Sequence, residues 1–124
     1  MNVPDDLLYT KDHEWIRIVD DVATVGVTDY AQGELGDIIF IEFPNKGVKY
    51  HSGETIGTIE AVKTVADIYA PIYGQILDVN VELEDEPDMI NKDPYEKGWI
   101  IKLCKISKDV SDLLKASDYK GLIQ

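Results

Sequence analysis

Lys63 is the residue whose setting in this 124-residue chain most clearly suggests chemistry. It stands between two stretches in which apolar residues alternate with polar ones, TIEAV before it and TVADIYA after it. Such alternation is typical of half-buried strands, so Lys63 and Thr64 are predicted to form the two-residue turn of a β-hairpin. An exposed lysine amine is protonated near neutral pH and is a poor nucleophile. Lys63 is therefore better suited to anchoring a group than to catalysis.

The same alternation predicts which residues of the hairpin face each other. Counting outward from the turn pairs Ile59 with Ile68 on the buried side and Glu60 with Asp67 on the solvent side. Two carboxylates directly opposite each other repel, and neither turn position carries the Asn or Gly that two-residue hairpins prefer. Local stability does not explain this tip, which favours a functional role for it.

The composition is that of a globular domain with a strong acidic excess. Hydrophobic residues make up 44% of the chain and charged residues 29%, and the formal net charge is -12. A single domain covering residues 1–124 is expected from the length. The acidic balance argues against nucleic acid or an anionic membrane as a partner, because both require a basic surface. It favours basic partner surfaces and a monomer.

Other reactive residue types give little support to catalysis or metal binding. Cys104 is the only cysteine, so no intrachain disulfide forms, and its apolar neighbours predict a packed thiol in a strand. His13 and His51 lack ligand spacing, so no metal is expected. No serine or cysteine has a recognisable base arrangement. Without an export signal, the cytoplasm is the expected location, or the mitochondrial matrix if a presequence has been removed.

Short strands separated by turns dominate the predicted secondary structure. The acidic segment from Glu82 to Asp88 is predicted as a solvated loop, since it lacks the oxygen spacing and central glycine of a calcium loop. The predicted strands cover residues 7–9, 15–19, 22–27, 37–43, 53–62, 65–70, 74–83 and 99–104.

Two helical regions are predicted. Thr28 or Asp29 is expected to cap a short helix that Gly36 ends, with Gln32 placed as in a capping box. Near the C-terminus, an amphipathic helix and a final short helix are expected to cover the sheet. The first is predicted from the spacing of Val110, Leu113 and Leu114, and the second from Ser117 as its cap and Gly121 as its end.

The lysine hairpin, with EAVK at residues 60–63 followed by ADIYAP and Gly74, resembles the lipoyl-lysine hairpin of the glycine cleavage system H-protein family. Further motifs agree along almost the whole chain. They are YT and HEW at residues 9–15, VGVT, AQ and LGD at residues 25–37, and INKDPY and GW at residues 90–99. Ala61 replaces a common serine and Thr64 a common alanine, differences expected to change rates of modification more than its occurrence.

Two other classes of carrier domain fit less well. Biotinyl carriers present their lysine between two methionines, whereas Val62 and Thr64 flank Lys63 here. Lipoyl domains of 2-oxoacid dehydrogenases place an acidic residue just before the lysine, and they lack both the HEW motif and C-terminal helices. The second class is the stronger alternative among carriers.

The resemblance implies a fold and a cofactor. The expected fold is mainly β, a flattened β-barrel or sandwich of the lipoyl/biotinyl carrier type with short N-terminal and C-terminal helices, in a single lipoyl-carrier domain of H-protein type over residues 1–124. Lipoic acid is expected to be bound covalently to Lys63 through an amide. That bond removes the lysine charge and changes the formal total from -12 to -13.

The resemblance also implies a carrier rather than an enzyme. The arm is expected to receive the aminomethyl group of glycine from the pyridoxal phosphate glycine decarboxylase (P protein) and to deliver it to the folate-dependent aminomethyltransferase (T protein). Its electrons then pass to dihydrolipoamide dehydrogenase (L protein), and a lipoylating enzyme attaches the cofactor. The alternative is a lipoyl carrier or donor that serves 2-oxoacid dehydrogenases or another client.

Three acidic residues are candidates for handling the arm. The nitrogen lone pair of the loaded arm can expel the thiolate, so a carboxylate that keeps the nitrogen protonated protects it. Glu14, in the HEW motif that the family places along the arm's cleft, is the first candidate, and Asp67 beside the tip is the second. A solvated carboxylate next to a packed Trp15 is the alternative for Glu14. Glu60 is expected to mark the tip for a basic groove of a partner.

Overall fold

Two antiparallel sheets face each other in the computed structural model, which describes all residues from Met1 to Gln124. The strands are β1 (Leu8–Tyr9), β2 (Glu14–Val19), β3 (Val22–Val27), β4 (Ile38–Glu42), β5 (Lys49–Tyr50), β6 (Thr55–Ala61), β7 (Val65–Tyr69), β8 (Gly74–Val79), β9 (Ile101–Lys105) and β10 (Leu114–Lys115). Their order is β10-β1-β2-β3-β9-β8-β5 in the larger sheet and β4-β6-β7 in the smaller. Neither sheet closes into a barrel, so the expected mainly β, flattened sandwich is confirmed.

Three short helices and one 3₁₀ turn accompany the strands, and the last helix follows the final strand. They are α1 (Asp29–Leu35), α2 (Met89–Lys92), α3 (Ala116–Ile123) and the 3₁₀ turn Val81–Glu84. The predicted ends of α1 are confirmed: Thr28 caps it by accepting the N–H of Ala31 at 3.2 Å, and Gly36 ends it with φ at 78°. The predicted capping box is wrong, because Thr28 is the N-cap and Gln32 instead donates to the side chain of Asp29 at 2.7 Å. None of these helices has the length and apolar character needed to cross a membrane.

Alternation along the strands places a shared apolar core between the two sheets. Seventeen buried residues form it, and each isoleucine that is fully buried contributes roughly 1.5–3 kcal/mol. The larger sheet contributes residues such as Ile16, Val25 and Leu103, and the smaller sheet contributes Ile41, Ile59 and Ile68. The core therefore sets which face of the lysine hairpin points inward.

A second, aromatic cluster attaches the C-terminal helix to the N-terminal strands. The rings of Tyr9 and Tyr119 stack at 4.7 Å, and Trp15 donates its indole N–H to the carbonyl of Pro94 at 2.9 Å. Gly26 leaves room for Trp15, because a Cβ there would lie 2.6 Å from the indole nitrogen. This cluster fixes α3 against β1 and β2.

The prediction for the C-terminal segment is partly wrong. Residues 107–113 form no helix, and Leu114 instead pairs with Tyr9 as part of β10. Val110 and Leu113 have helical spacing, but they lie in a loop and their side chains pack against the core. The last helix begins at Ala116, with Lys115 and not Ser117 at its N-cap position, and it continues through Gly121.

Candidate functional site

Lys63 lies at the tip of the β6–β7 hairpin, but the predicted register of that hairpin is wrong. The observed pairs are Glu60 with Val65 and Thr58 with Asp67. The N–H of Ala61 donates to the carbonyl of Thr64 at 2.8 Å, so residues 62 and 63 form the tip. Each residue pairs with a partner two positions from the predicted one, so each strand keeps its predicted faces.

The neighbouring strand β4 explains the shift. Ala61 pairs with Ile38, and the N–H of Val62 donates to the carbonyl of Asp37 at 3.0 Å. These bonds extend β6 on its other edge as far as Ala61, whose side chain is buried, whereas Val62 is 72% exposed. Glu60 and Asp67 are consequently not directly opposite each other, so the predicted cross-strand pair of carboxylates does not form.

The side chain of Lys63 lies over the end of α1. A Cβ at Gly36 would be 3.3 Å from Lys63 Cε and 3.7 Å from Nζ, so the two residues are in close contact. Gly36 also has a positive φ of 78°, which favours glycine. The tip of the hairpin is thus next to Leu35, which lines a cleft.

This cleft has a volume of about 320 Å³ and lies between α1, the turn before β2, and the β6–β7 hairpin. Its lining is divided by chemistry into an apolar part and an acidic part. The apolar part includes Val27, Ala31, Leu35, Ile59 and Ala66. The acidic part consists of Asp12, Glu14, Glu34 and Asp67.

Glu14 is the buried carboxyl group of the cleft, with 2% of the residue exposed. Oε2 accepts the backbone N–H of Tyr69 at 2.7 Å, and Oε1 accepts the hydroxyl of Thr10 at 3.2 Å. Burial raises the pKa of Glu14 to about 8, against the opposite effect of these two hydrogen bonds. The Tyr69 bond also joins the edge strand of the smaller sheet to the larger sheet.

The other two predicted residues lie in different surroundings. Asp67 is exposed on β7 and lines the cleft together with Glu14. Glu60 is exposed on β6, where Phe40 and Val65 flank it across the sheet and are 54% and 62% exposed. Glu60 is absent from the cleft lining, so the structure separates it from the other two candidates.

Sequence reasoning missed several residues of the cleft. Tyr30, Ala31, Glu34 and Leu35 line it from α1, and the four-residue spacing of Tyr30 to Glu34 and of Ala31 to Leu35 is the signal of a shared helix face that could have found them. His13 also lines the cleft, in a left-handed conformation with φ at 65°. Nothing in the sequence alone signals that conformation.

Comparisons with known proteins agree over the full domain. The family model described as "Glycine cleavage H-protein" matches residues 7–124. A glycine cleavage system H protein of Listeria innocua is 51% identical over 98% of this chain and 99% of its own length, and one of Bacteroides thetaiotaomicron is 49% identical over 99% and 98%. A crystal structure of a glycine cleavage system H protein from Mycobacterium marinum covers 96% of this chain and 97% of its own, with 40% identity and a TM-score of 0.90. The chain therefore belongs to the glycine cleavage H-protein family.

Proposed function

We propose that this protein is the lipoyl carrier of a glycine cleavage system, with lipoic acid joined to Lys63 by an amide bond. One observation carries the proposal: an exposed lysine at a hairpin tip adjoins a cleft that contains a single buried carboxyl group. When bound, the lipoyl group supplies a dithiolane that carries an aminomethyl group and two electrons between enzymes. The partners are glycine decarboxylase, the aminomethyltransferase, dihydrolipoamide dehydrogenase and a lipoylating enzyme.

The residues present fit such an arm. Lys63 would hold it, since the Lys63 side chain lies against Gly36, the residue that follows Leu35 of the cleft. The apolar lining suits an aliphatic stem, and the acidic residues suit a cation at its end. The protein itself acts as a carrier, and the relatives' bacterial origin favours the cytoplasm as its location.

Glu14 would hold and protonate the amine at the end of the arm. Because Oε2 accepts the short bond from Tyr69, the proton of the neutral carboxyl group would be carried by Oε1, beside the hydrogen bond that this oxygen accepts from Thr10. A pKa of about 8 keeps Glu14 protonated near neutral pH, so it gives this proton to an arriving neutral amine. The resulting ion pair is worth about 1 kcal/mol at 4 Å in water and about 4 near a protein surface, or roughly one to three units in the pKa of the amine. Asp67, at the exposed side of the cleft, would assist.

The test of the carrier proposal is modification of Lys63. We expect the purified chain, incubated with a lipoylating enzyme and its substrates, to gain the mass of one lipoyl group, located on Lys63 by fragment mapping. Lys63→Arg keeps the charge and should gain nothing. If conditions that modify a known lipoyl domain leave the wild-type chain unmodified, the proposal fails.

Client assays distinguish glycine cleavage from the alternative of a lipoyl donor. Reductive aminomethylation by glycine decarboxylase supports the first function. Transfer of the lipoyl group to a 2-oxoacid dehydrogenase, without aminomethylation, would support the second.

The role of Glu14 and Asp67 has its own test. We expect Glu14→Gln to shorten the lifetime of the loaded arm about tenfold or more, and Asp67→Asn to shorten it less, because the amine loses the group that keeps it protonated. The measurement is the release of ammonia or formaldehyde from isolated loaded protein. Unchanged lifetimes in both variants would refute this role without affecting the attachment at Lys63.

A further inference from the structure

The hydroxyl group of Tyr119, on the C-terminal helix, connects two walls of the cleft. It lies 2.9 Å from Nδ1 of His13 and 2.7 Å from Oγ1 of Thr28. His13 lines the cleft from the turn before β2, and Thr28 caps α1, the opposite wall. Tyr119 and Thr28 are fully buried, so water does not satisfy these groups. The backbone N–H of Thr28 also donates to the carbonyl of His13 at 3.0 Å.

Counting donors and acceptors gives these hydrogen bonds a direction. Oγ1 of Thr28 already accepts the N–H of Ala31, and it retains one proton to donate. If Thr28 donates to Tyr119 and Tyr119 donates to Nδ1 of His13, every hydroxyl donates once. Nδ1 is then an acceptor, which requires the neutral ring with its proton on Nε2.

The protonated form of His13 breaks this order. Its Nδ1–H would donate to Tyr119, Tyr119 would donate to Thr28, and the hydroxyl proton of Thr28 would be buried without an acceptor. A buried unsatisfied donor costs roughly 1–3 kcal/mol. Burial of the ring also lowers the pKa of His13, whereas the charges of Asp12 and Glu34 raise it. The ring of Tyr30 lies 4.8 Å away between centroids, and the carboxyl groups of Glu14 and Asp67 line the same cleft.

We infer that Tyr119 is a positioning residue of the cleft: it holds His13 as the neutral tautomer with N–H at Nε2 and ties that ring to the cap of α1. The C-terminal helix thereby sets the distance between two walls of the cleft. His13 offers the cleft a donor and not a base, so the proton exchanged with a bound amine resides on Glu14. Only this last consequence rests on the proposed function.

The first test reads the state of His13 in the unmodified protein by ¹⁵N and ¹H NMR of the imidazole ring. The expected wild-type spectrum is that of an Nε2–H tautomer. Tyr119→Phe should mix the tautomers and raise the pKa of His13 by about one unit, since one hydrogen bond to the neutral ring is lost. His51, which is exposed, serves as the internal reference.

Tyr9→Phe is the matched control. Tyr9 stacks on Tyr119 and is equally buried, but it does not line the cleft. The substitution removes one hydrogen bond, which the hydroxyl of Tyr9 donates to the carbonyl of Pro4 at 2.6 Å. It should leave the tautomer and the pKa of His13 unchanged. A wild-type Nδ1–H tautomer, or equal His13 spectra in wild type and Tyr119→Phe, would overturn the inference, and the wild-type spectrum decides this even if the variant folds poorly.

A second measurement uses the lipoylated protein. Tyr119→Phe should be lipoylated at the wild-type rate, because Lys63 lies at the hairpin tip, but its loaded arm should have a lifetime several times shorter than in wild type and Tyr9→Phe. An unchanged lifetime would refute control of the cleft by α3. Failure of lipoylation in the wild type would instead refute the carrier proposal and would leave the NMR result standing.

Discussion

The carboxyl group of Glu14 is removed from water by the fold while it keeps two hydrogen-bond donors. Its pKa rises from an ordinary value of 4.5 to about 8 because burial penalises the charged form more than Tyr69 and Thr10 favour it. Between these two values the folded protein binds a proton that the unfolded chain has released. The free energy of unfolding therefore contains a contribution from Glu14 that is complete below about pH 4.5 and is lost as the pH rises toward 8.

This linkage predicts a pH-dependent difference between wild type and Glu14→Gln. The glutamine keeps an acceptor for Tyr69 but has no proton to lose, so its stability lacks this contribution. Relative to the variant, the wild type should lose several kcal/mol between about pH 5 and about pH 8, measured as the free energy of unfolding in urea. Glu60→Gln, at an exposed position, should parallel the wild type. A constant difference between wild type and Glu14→Gln would show that Glu14 is ionised in the folded protein throughout this range.

Among the elements, α1 shows what local sequence signals determine. Both ends of this helix are set by residues that are recognisable without tertiary information. Thr28 accepts a backbone N–H that has no partner within the helix, and Gly36 adopts a positive φ. The strands of the lysine hairpin were equally recognisable from alternation. Their faces followed from the pattern because period-two alternation and a buried core determine each other.

Register and short pairings depended on contacts far along the chain. The pairing of Ala61 with Ile38 moved the hairpin tip, and no rule for isolated hairpins includes that third strand. Likewise, Leu114 forms a two-residue strand because Tyr9 is available to pair with it, although its spacing from Val110 is helical. Tertiary pairing decided both segments against the local pattern.

The cleft was predictable only in part for the same reason. Lys63 and Glu14 were found through motifs, and Asp67 through its nearness to the tip. Their arrangement requires β2, β7 and α1 to meet, so the bond from Tyr119 to His13 could not be read from any one stretch. The sequence alone does not show how deeply the fold buries a given carboxyl group.

On the scale of the whole molecule, a strongly acidic chain presents Lys63 at an exposed hairpin tip. The formal net charge is -12, and the exposed residues near the tip combine Glu60 with two apolar neighbours, Phe40 and Val65. Charges at the rim of an interface mainly change association rates and their salt dependence, while apolar contacts are insensitive to screening. A lipoylating enzyme with a basic, partly apolar surface would match this combination, which extends the marking role expected of Glu60.

The predicted consequence is that Glu60→Gln slows lipoylation of Lys63 about two- to fivefold at low ionic strength, because one attractive charge near the tip is lost. The measurement is kcat/KM of a lipoylating enzyme from about 0.02 to about 0.3 M salt, over which the difference from wild type should shrink as screening increases. Asp21→Asn changes the net charge equally but lies in the turn before β3, at the opposite end of that strand from Val27 in the cleft, so it separates a local effect from the total charge. Equal slowing in both variants would assign the effect to the overall field of the molecule, and no slowing in Glu60→Gln would remove Glu60 from the recognition surface.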